Sequence, residues 1–251
     1  MRRTPVLLAM LAFTAGACLN PVVQPSPGRS GDQSGTSTPT QAATGTQPPA
    51  TPIPGFAEWQ LINPQAVQVS VEDGALVMDL LRSALWYNDR KGVLFYRDVS
   101  GDFCASATVR TAKASDPSAP PGQDGTVQLA GLMARTADPA ENYVFIVSGS
   151  IGTSTGLETK TTESSQSIYI QRGQPTGGDA ELRLCRIGST FYLWWRHVDT
   201  NEDWTHMSTL DRKDMPPTLE VGANIYTDGK PDIVARFEHL TIERIAAGAA
   251  C

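Results

Sequence analysis

Short apolar runs separated by turn residues fill the chain from about Gly55 onward. Gly, Asp, Asn and Pro divide these runs, and no segment keeps the 3.6-residue period of an amphipathic helix. The pattern predicts strands at Val67–Val71, Ala75–Leu81, Gly92–Asp98, Phe103–Arg110, Gln128–Arg135, Tyr143–Ser148, Leu157–Thr162, Ser167–Arg172, Ala180–Arg186, Phe191–Val198, Trp204–Leu210, Thr218–Ile225 and Ala235–Arg244. So many short strands are typical of two packed sheets, and the predicted fold class is all-β.

The first residues have the pattern of a secretory signal. Two arginines precede an apolar run from Pro5 to Phe13, which is too short to span a membrane, and small residues follow up to Cys18. Ala15–Ala17 fits an ordinary signal-peptidase site, while the same segment ending on Cys18 resembles a bacterial lipobox with alanine in place of the usual leucine. We favour the lipobox, which predicts lipidation at Cys18 and, with Leu19 next, an outer-membrane lipoprotein. The alternative is a secreted protein.

The segment after Cys18 favours the lipoprotein interpretation, because it looks like a tether. Residues 19–54 are rich in Pro, Ser, Thr, Gly and Gln, and they hold too few large apolar side chains to offset the entropy lost on ordering. The predicted organisation is therefore a signal peptide at 1–18, a disordered tether at 19–54, a β-sandwich at 55–246 and a small-residue tail at 247–251.

Charge limits the classes of partner. The formal net charge is -6, and Lys and Arg do not cluster beyond the first three residues. Nucleic-acid binding needs a basic surface, so a nucleic-acid partner is not expected. Contact with a membrane is expected only through the lipid anchor.

Three cysteines remain if Cys18 carries lipid. Cys104 and Cys185 lie in predicted strands, and Cys251 ends the small-residue tail. An oxidising envelope favours a disulfide between two of them, and we predict Cys104 with Cys185. Two buried thiols on separate strands are the alternative.

Four segments in order resemble the bacterial concanavalin A-like lectin/glucanase superfamily. They are LWYNDRKGVLFYRDVSGDF from Leu85, GLMARTADPAENYV from Gly131, ELRLCRIGSTFYLWWR from Glu181 and LEVGANIYTDGKPDIVARFEHLTI from Leu219. The resemblance is greatest to uncharacterised jelly-roll domains also found at the C-terminus of some β-xylosidases. It implies a two-sheet concanavalin A-like jelly-roll sandwich, commonly carbohydrate-binding and sometimes catalytic, often with a ligand groove on its concave sheet.

The strand FYLWWR divides into two faces, since successive side chains of a strand point to opposite sides. The wholly apolar set, which we predict to be core, is Phe191, Leu193 and Trp195. The other set offers rings and a guanidinium to a ligand, and consists of Tyr192, Trp194 and Arg196. Such groups suit carbohydrate, because flat rings stack on pyranose faces while polar groups bind the hydroxyls.

Two residues from other segments complete the predicted ligand site. Trp86 precedes the strand that most resembles the family, and Arg135 ends another strand. In a jelly roll these two could converge with Tyr192 and Trp194 on one groove. The alternative is that the arginines lie on a solvated face and the tryptophans are covered packing residues.

Acidic residues are too scattered to predict a catalytic site. Jelly-roll glucanases usually carry Glu-x-Asp-x-x-Glu on one strand face, and this chain has no such motif. The predicted function is therefore an envelope-anchored, non-catalytic carbohydrate-binding or adhesion module. One alternative is a glycosidase or polysaccharide lyase whose acids come from separate strands, and another is a structural domain that binds protein.

A calcium ion is the one cofactor for which the sequence offers ligands. Asp199, Asn201 and Asp203 place oxygen side chains at alternate positions, but the glycine and terminal glutamate of an EF-hand are missing. Asp and Asn are also favoured at hairpin tips, which is the alternative interpretation.

Overall fold

The computed structural model describes residue 53 and residues 55–87, 91–138, 140–173 and 176–246. Cys18, the predicted signal peptide, the tether up to residue 52 and the tail at 247–251 lie outside these residues. The described chain contains one short 3-10 helix, Pro64–Ala66. No helix within it is long and apolar enough to cross a membrane.

Fourteen strands make up the described body. They are β1 (Gln60–Ile62), β2 (Val67–Glu72), β3 (Ala75–Leu80), β4 (Val93–Ser100), β5 (Phe103–Ala112), β6 (Val127–Arg135), β7 (Tyr143–Ile151), β8 (Ser154–Glu163), β9 (Gln166–Gly173), β10 (Ala180–Ile187), β11 (Thr190–Arg196), β12 (Thr205–Asp211), β13 (Thr218–Thr227) and β14 (Val234–Arg244). The sequence pattern predicts all of them except β1, whose three residues are too few to show an alternation.

The strands form two seven-stranded antiparallel sheets. Sheet 1 has the order β1-β4-β13-β6-β7-β8-β9, and sheet 2 has the order β12-β11-β10-β5-β14-β3-β2. The predicted all-β, two-sheet sandwich is confirmed.

Alternating side chains of both sheets fill the space between them. In β5 the buried set is Phe103, Ala105, Ala107 and Val109, and the residues between these are partly exposed. The predicted core set of β11 is also confirmed, with Phe191 and Leu193 fully buried and Trp195 6% exposed. The other face of β11 is therefore turned away from the core.

A disulfide joins two adjacent strands at the centre of sheet 2. Cys104 on β5 and Cys185 on β10 are direct cross-strand partners, and their sulfur atoms are bonded, as predicted. The pair lies on the outer face of the sheet because Ala105 and Leu184, its neighbours along the strands, belong to the core.

Candidate functional site

The outer face of sheet 1 is buried rather than open. Its aromatic residues include Tyr143, Phe145 and Tyr226, each no more than 3% exposed, and the fully buried indole of Trp86 packs among them. The Trp86 carbonyl accepts hydrogen bonds from the Tyr143 hydroxyl (2.9 Å) and the Lys160 ammonium (2.8 Å). Burial lowers the pKa of Lys160. Trp86 is thus part of the buried cluster on this face.

Arg135 lies beneath Trp86 in a buried ion cluster. Its guanidinium is 5.9 Å from the centre of the Trp86 ring. It donates to Glu220 and lies 3.4 Å from Glu141, and all three residues are at most 8% exposed. Two carboxylates therefore hold this guanidinium inside the fold.

The predicted convergence of Trp86, Arg135, Tyr192 and Trp194 on one groove is wrong. Arg135 ends β6 in sheet 1, whereas Tyr192 and Trp194 belong to β11 in sheet 2. Their outer faces point in opposite directions, with the core between them. The structure brings Trp86 together with Arg135, and separately keeps Tyr192, Trp194 and Arg196 together.

The outer face of sheet 2 is the open one. A line of residues crosses five neighbouring strands at one level of the ladder, and we call it the cross-strand row: Thr241, Ser106, Arg183, Trp194 and His206. The four strand spacings make it about 19 Å long. Its Arg183 and Trp194 are partly exposed and its His206 is exposed, so hydroxyl, guanidinium, indole and imidazole groups all face solvent.

A β-bulge lies at each end of the cross-strand row. The β11–β12 register shifts between Leu193 and Trp194, and the β5–β14 register shifts between Glu238 and Thr241. Within the second bulge His239 has φ of 53°, in the left-handed region that non-glycine residues rarely adopt. Bulges re-aim side chains and often lie beside functional sites, so this pair supports the row as a site.

Trp204 covers part of the row from the turn before β12. Its ring centre is 4.1 Å from the Arg183 guanidinium carbon and 4.7 Å from that of Arg196. The Arg196 guanidinium also contacts Glu181, with Nη2 to Oε2 at 2.6 Å. These contacts fix both guanidiniums on the sheet surface.

A shallow cavity of about 320 Å³ opens beside these groups. Its polar lining comprises Ser106, Thr108, Glu181, Arg183, Arg196, Trp204 and His239. Among the described residues that line it, Glu181 is the one carboxylate, and Arg196 already neutralises it. The cavity therefore offers hydrogen-bond donors and one further cation, Arg183.

The indole of Trp194 lies next to this cavity. It meets the His206 ring edge-on, with ring centres 4.8 Å apart. Its buried N–H has no hydrogen-bond partner. Of the three predicted ligand residues on β11, Trp194 therefore offers its partly exposed ring and not its N–H, while Arg196 is engaged with Glu181 and Trp204.

The predicted calcium ligands are not gathered into a metal site. Both Asp199 carboxylate oxygens accept hydrogen bonds from Arg110 at 3.0 Å, so this carboxylate is already paired with a guanidinium. No three His, Cys, Asp or Glu side chains come close enough to hold a metal ion anywhere in the part of the chain that the structure describes. Asn201 and Asp203 are exposed in the turn.

Sequence reasoning did not single out Arg183, Trp204 or His239. Alternation along β10 places Arg183 on the same side as the β11 rings, and this signal was available. The bulge that presents His239 and the fold of the turn that places Trp204 depend on pairings between distant segments, which no local pattern reveals.

Comparisons with known proteins place this sandwich in a structural class. No protein-family model and no curated protein sequence matches the chain. Among solved structures, a functionally unknown protein from Saccharomyces cerevisiae is similar with a TM-score of 0.61 and 13% identity, over 76% of this chain and 98% of that one.

Two further structures are similar with a TM-score of 0.51. Lectin II from Ulex europaeus has 9% identity over 77% of this chain and 95% of that one. Xylan β-1,4-xylosidase from Bacillus halodurans C-125 has 14% identity over 70% of this chain, which spans only 34% of that enzyme. The likenesses show the fold: the domain is a concanavalin A-like β-sandwich.

Proposed function

We propose that this protein is a non-catalytic carbohydrate-binding module, held at the cell envelope by a lipid on Cys18, and that it binds glycan along the cross-strand row. The observation that carries the proposal is the partly exposed Trp194 ring beside the Arg183 guanidinium, with the Ser106 and Thr241 hydroxyls at the same ladder level. Stacking on the ring and hydrogen bonds to the hydroxyls are what a pyranose needs.

The shape of the surface supports a chain-like ligand. The row runs across the strands for about 19 Å, long enough for several sugar units. Its two end residues, Thr241 and His206, are exposed and Trp204 covers part of its middle, so an extended polymer could lie across the row beside that ring without entering a closed pocket. A lectin with the same fold is consistent with this role.

Two acids of the surface, Glu181 and Glu238, are held by guanidiniums, which supports binding without cleavage. Hydrolysis of a glycosidic bond needs two carboxyl groups facing the sugar, about 5 to 9.5 Å apart depending on the mechanism. Glu181 is paired with Arg196, and Glu238 is paired with Arg110 and Arg236 at 3.2 Å each. Each of these acids is thus neutralised by a guanidinium.

Affinity retention on a panel of immobilised polysaccharides tests the proposal. Trp194→Ala should weaken retention of the bound glycan about tenfold or more, because a stacked ring contributes about 1 kcal/mol beyond its buried area. Tyr87→Ala is the matched control, since Tyr87 is a 47% exposed aromatic residue on the sheet 1 side, near Lys160. The control should bind as the unaltered protein does.

Three results would contradict the proposal. Equal loss in both variants would remove the row as the site, and release of reducing sugar from the retained polymer would make the protein an enzyme. The third result is that the protein retains no polysaccharide but captures a protein partner, and that Trp194→Ala abolishes this capture. That result would favour the protein-interaction alternative.

A further inference from the structure

We propose that the glycan bound on the cross-strand row is anionic, and that Arg183 binds the carboxylate or sulfate of one of its sugar units. This inference rests on the proposed function and narrows its substrate class.

The charge of Arg183 is uncompensated within the described chain. Its guanidinium stacks on the Trp204 ring, and no carboxylate of the described residues lies within ion-pair distance of it. Two other arginines without an acid partner, Arg97 and Arg186, donate to backbone carbonyls instead. Arg97 also lines a cavity, but that cavity holds the carboxylates of Glu58 and Asp98, whereas the one carboxylate in the cavity of Arg183 is already paired with Arg196.

The position of Arg183 suits a planar anion. Stacking against the indole uses one face of the guanidinium and leaves its N–H edge for a ligand, and a fixed guanidinium loses little freedom on binding. A carboxylate or sulfate can accept two parallel hydrogen bonds from that edge. The hydroxyls of Ser106 and Thr108 in the same lining could bind adjacent sugar hydroxyls.

The net charge of the protein opposes the binding of an acidic polymer. The formal net charge of the chain is -6, so an acidic polymer is repelled by the molecule as a whole. Retention of such a polymer therefore requires a local cation, and the uncompensated one on the proposed surface is Arg183.

Two matched pairs of immobilised polymers test the inference with the full-length protein. One pair is polygalacturonate and its methyl ester, and the other is dextran sulfate and dextran. We expect retention of at least one acidic member to exceed that of its neutral partner about tenfold or more, as for a charge-assisted hydrogen-bonded pair. Which acidic member is retained tells whether the charge is a carboxylate or a sulfate.

The variants separate a specific contact from general charge attraction. Arg183→Ala should abolish the preference for the acidic polymer. Arg183→Lys should retain part of the preference, because lysine keeps the positive charge but cannot donate two parallel hydrogen bonds as a guanidinium does. Arg82→Ala removes one exposed positive charge outside the surface and should leave the preference unchanged. An unchanged melting temperature for each variant shows that folding is intact.

The outcomes distinguish the two proposals. Equal retention of acidic and neutral members, lost in Trp194→Ala, would overturn the anionic selectivity and leave the proposed function standing. Equal losses in Arg183→Ala and Arg82→Ala would also overturn the selectivity. Retention of no polysaccharide, in these pairs or in the wider panel, would overturn both.

Discussion

Arg135 and Arg183 show how the same side chain serves two purposes in one fold. Arg135 is 1% exposed and held between Glu141 and Glu220, whereas Arg183 is partly exposed and lacks an acid partner. Breaking a buried ion cluster leaves charges that the interior cannot solvate. Arg135 is therefore a structural residue, and the sequence-based expectation that it contacts ligand does not fit its burial.

Replacing Arg135 with Met should destabilise the protein by about 3 to 5 kcal/mol, because the buried Glu220 loses its ion partner and the buried Glu141 is left with the more distant Lys91 at 3.9 Å. Urea denaturation measures this change. Glycan retention of the fraction that remains folded should stay unchanged, since Arg135 faces away from sheet 2. As a matched control, Lys213→Met removes one partner of an exposed ion pair, in which the Lys213 and Asp211 side chains are 81% and 50% exposed, and should cost less. Comparable losses in the two variants would contradict the burial argument.

Residue-level prediction from the sequence was accurate where strand alternation decides the outcome. The six residues from Phe191 to Arg196 fall on the two predicted faces because the period of a strand is fixed by backbone geometry. The partnership of Trp86 with Arg135, and not with Trp194, depends on which strands share a sheet. That choice is made by contacts between distant segments, so a local pattern does not contain it.

At the scale of the element, the disulfide and two bulges of sheet 2 lie close to the cross-strand row. The disulfide links β5 and β10 beside the row, and the two bulges shift the strands at its ends. The disulfide pairing was predictable from two cysteines in strands of an oxidised protein. The bulges were not, because a bulge appears only when the register of both paired strands is known.

Removing the disulfide should lower the free energy of unfolding by about 2 to 4 kcal/mol, since the bond closes a loop with a sequence separation of 81 residues. The double variant Cys104→Ser/Cys185→Ser, compared with the unaltered protein in urea, measures the loss. Dithiothreitol should destabilise the unaltered protein and leave the variant unaffected. If the reductant destabilises both equally, the stabilising bond lies elsewhere.

At the scale of the whole molecule, the two sheets differ in whether their outer faces are buried or open. Sheet 1 is buried on both faces over β6 and β7, and its outer face holds a second apolar cluster that includes Trp86. Sheet 2 keeps one face open, and the candidate site lies there. Composition and strand spacing predicted the sandwich, but they could not show which sheet is covered, because the contacts of Trp86 with Tyr143 and Arg135 join segments that are distant in sequence.

The predicted lipid anchor is a property of the full chain and can be tested directly. Metabolic labelling with a radiolabelled fatty acid should mark the unaltered protein, and Cys18→Ala should abolish the label and move the protein from the membrane fraction to the soluble fraction. A labelled Cys18→Ala variant would contradict lipidation at this residue. Glycan retention should be the same in both proteins.

The Cys104–Cys185 bond also has a mechanical consequence. If the protein is anchored and binds a polymer as proposed, movement of the polymer pulls on the domain, and a ligand lying across five strands pulls on the ladders between them. Adjacent strands can slip in register under such tension, which would separate Ser106 from Arg183. The disulfide fixes the β5–β10 ladder that joins these two residues. The surface should therefore keep its spacing under shear, when the contacts of the ligand are most needed.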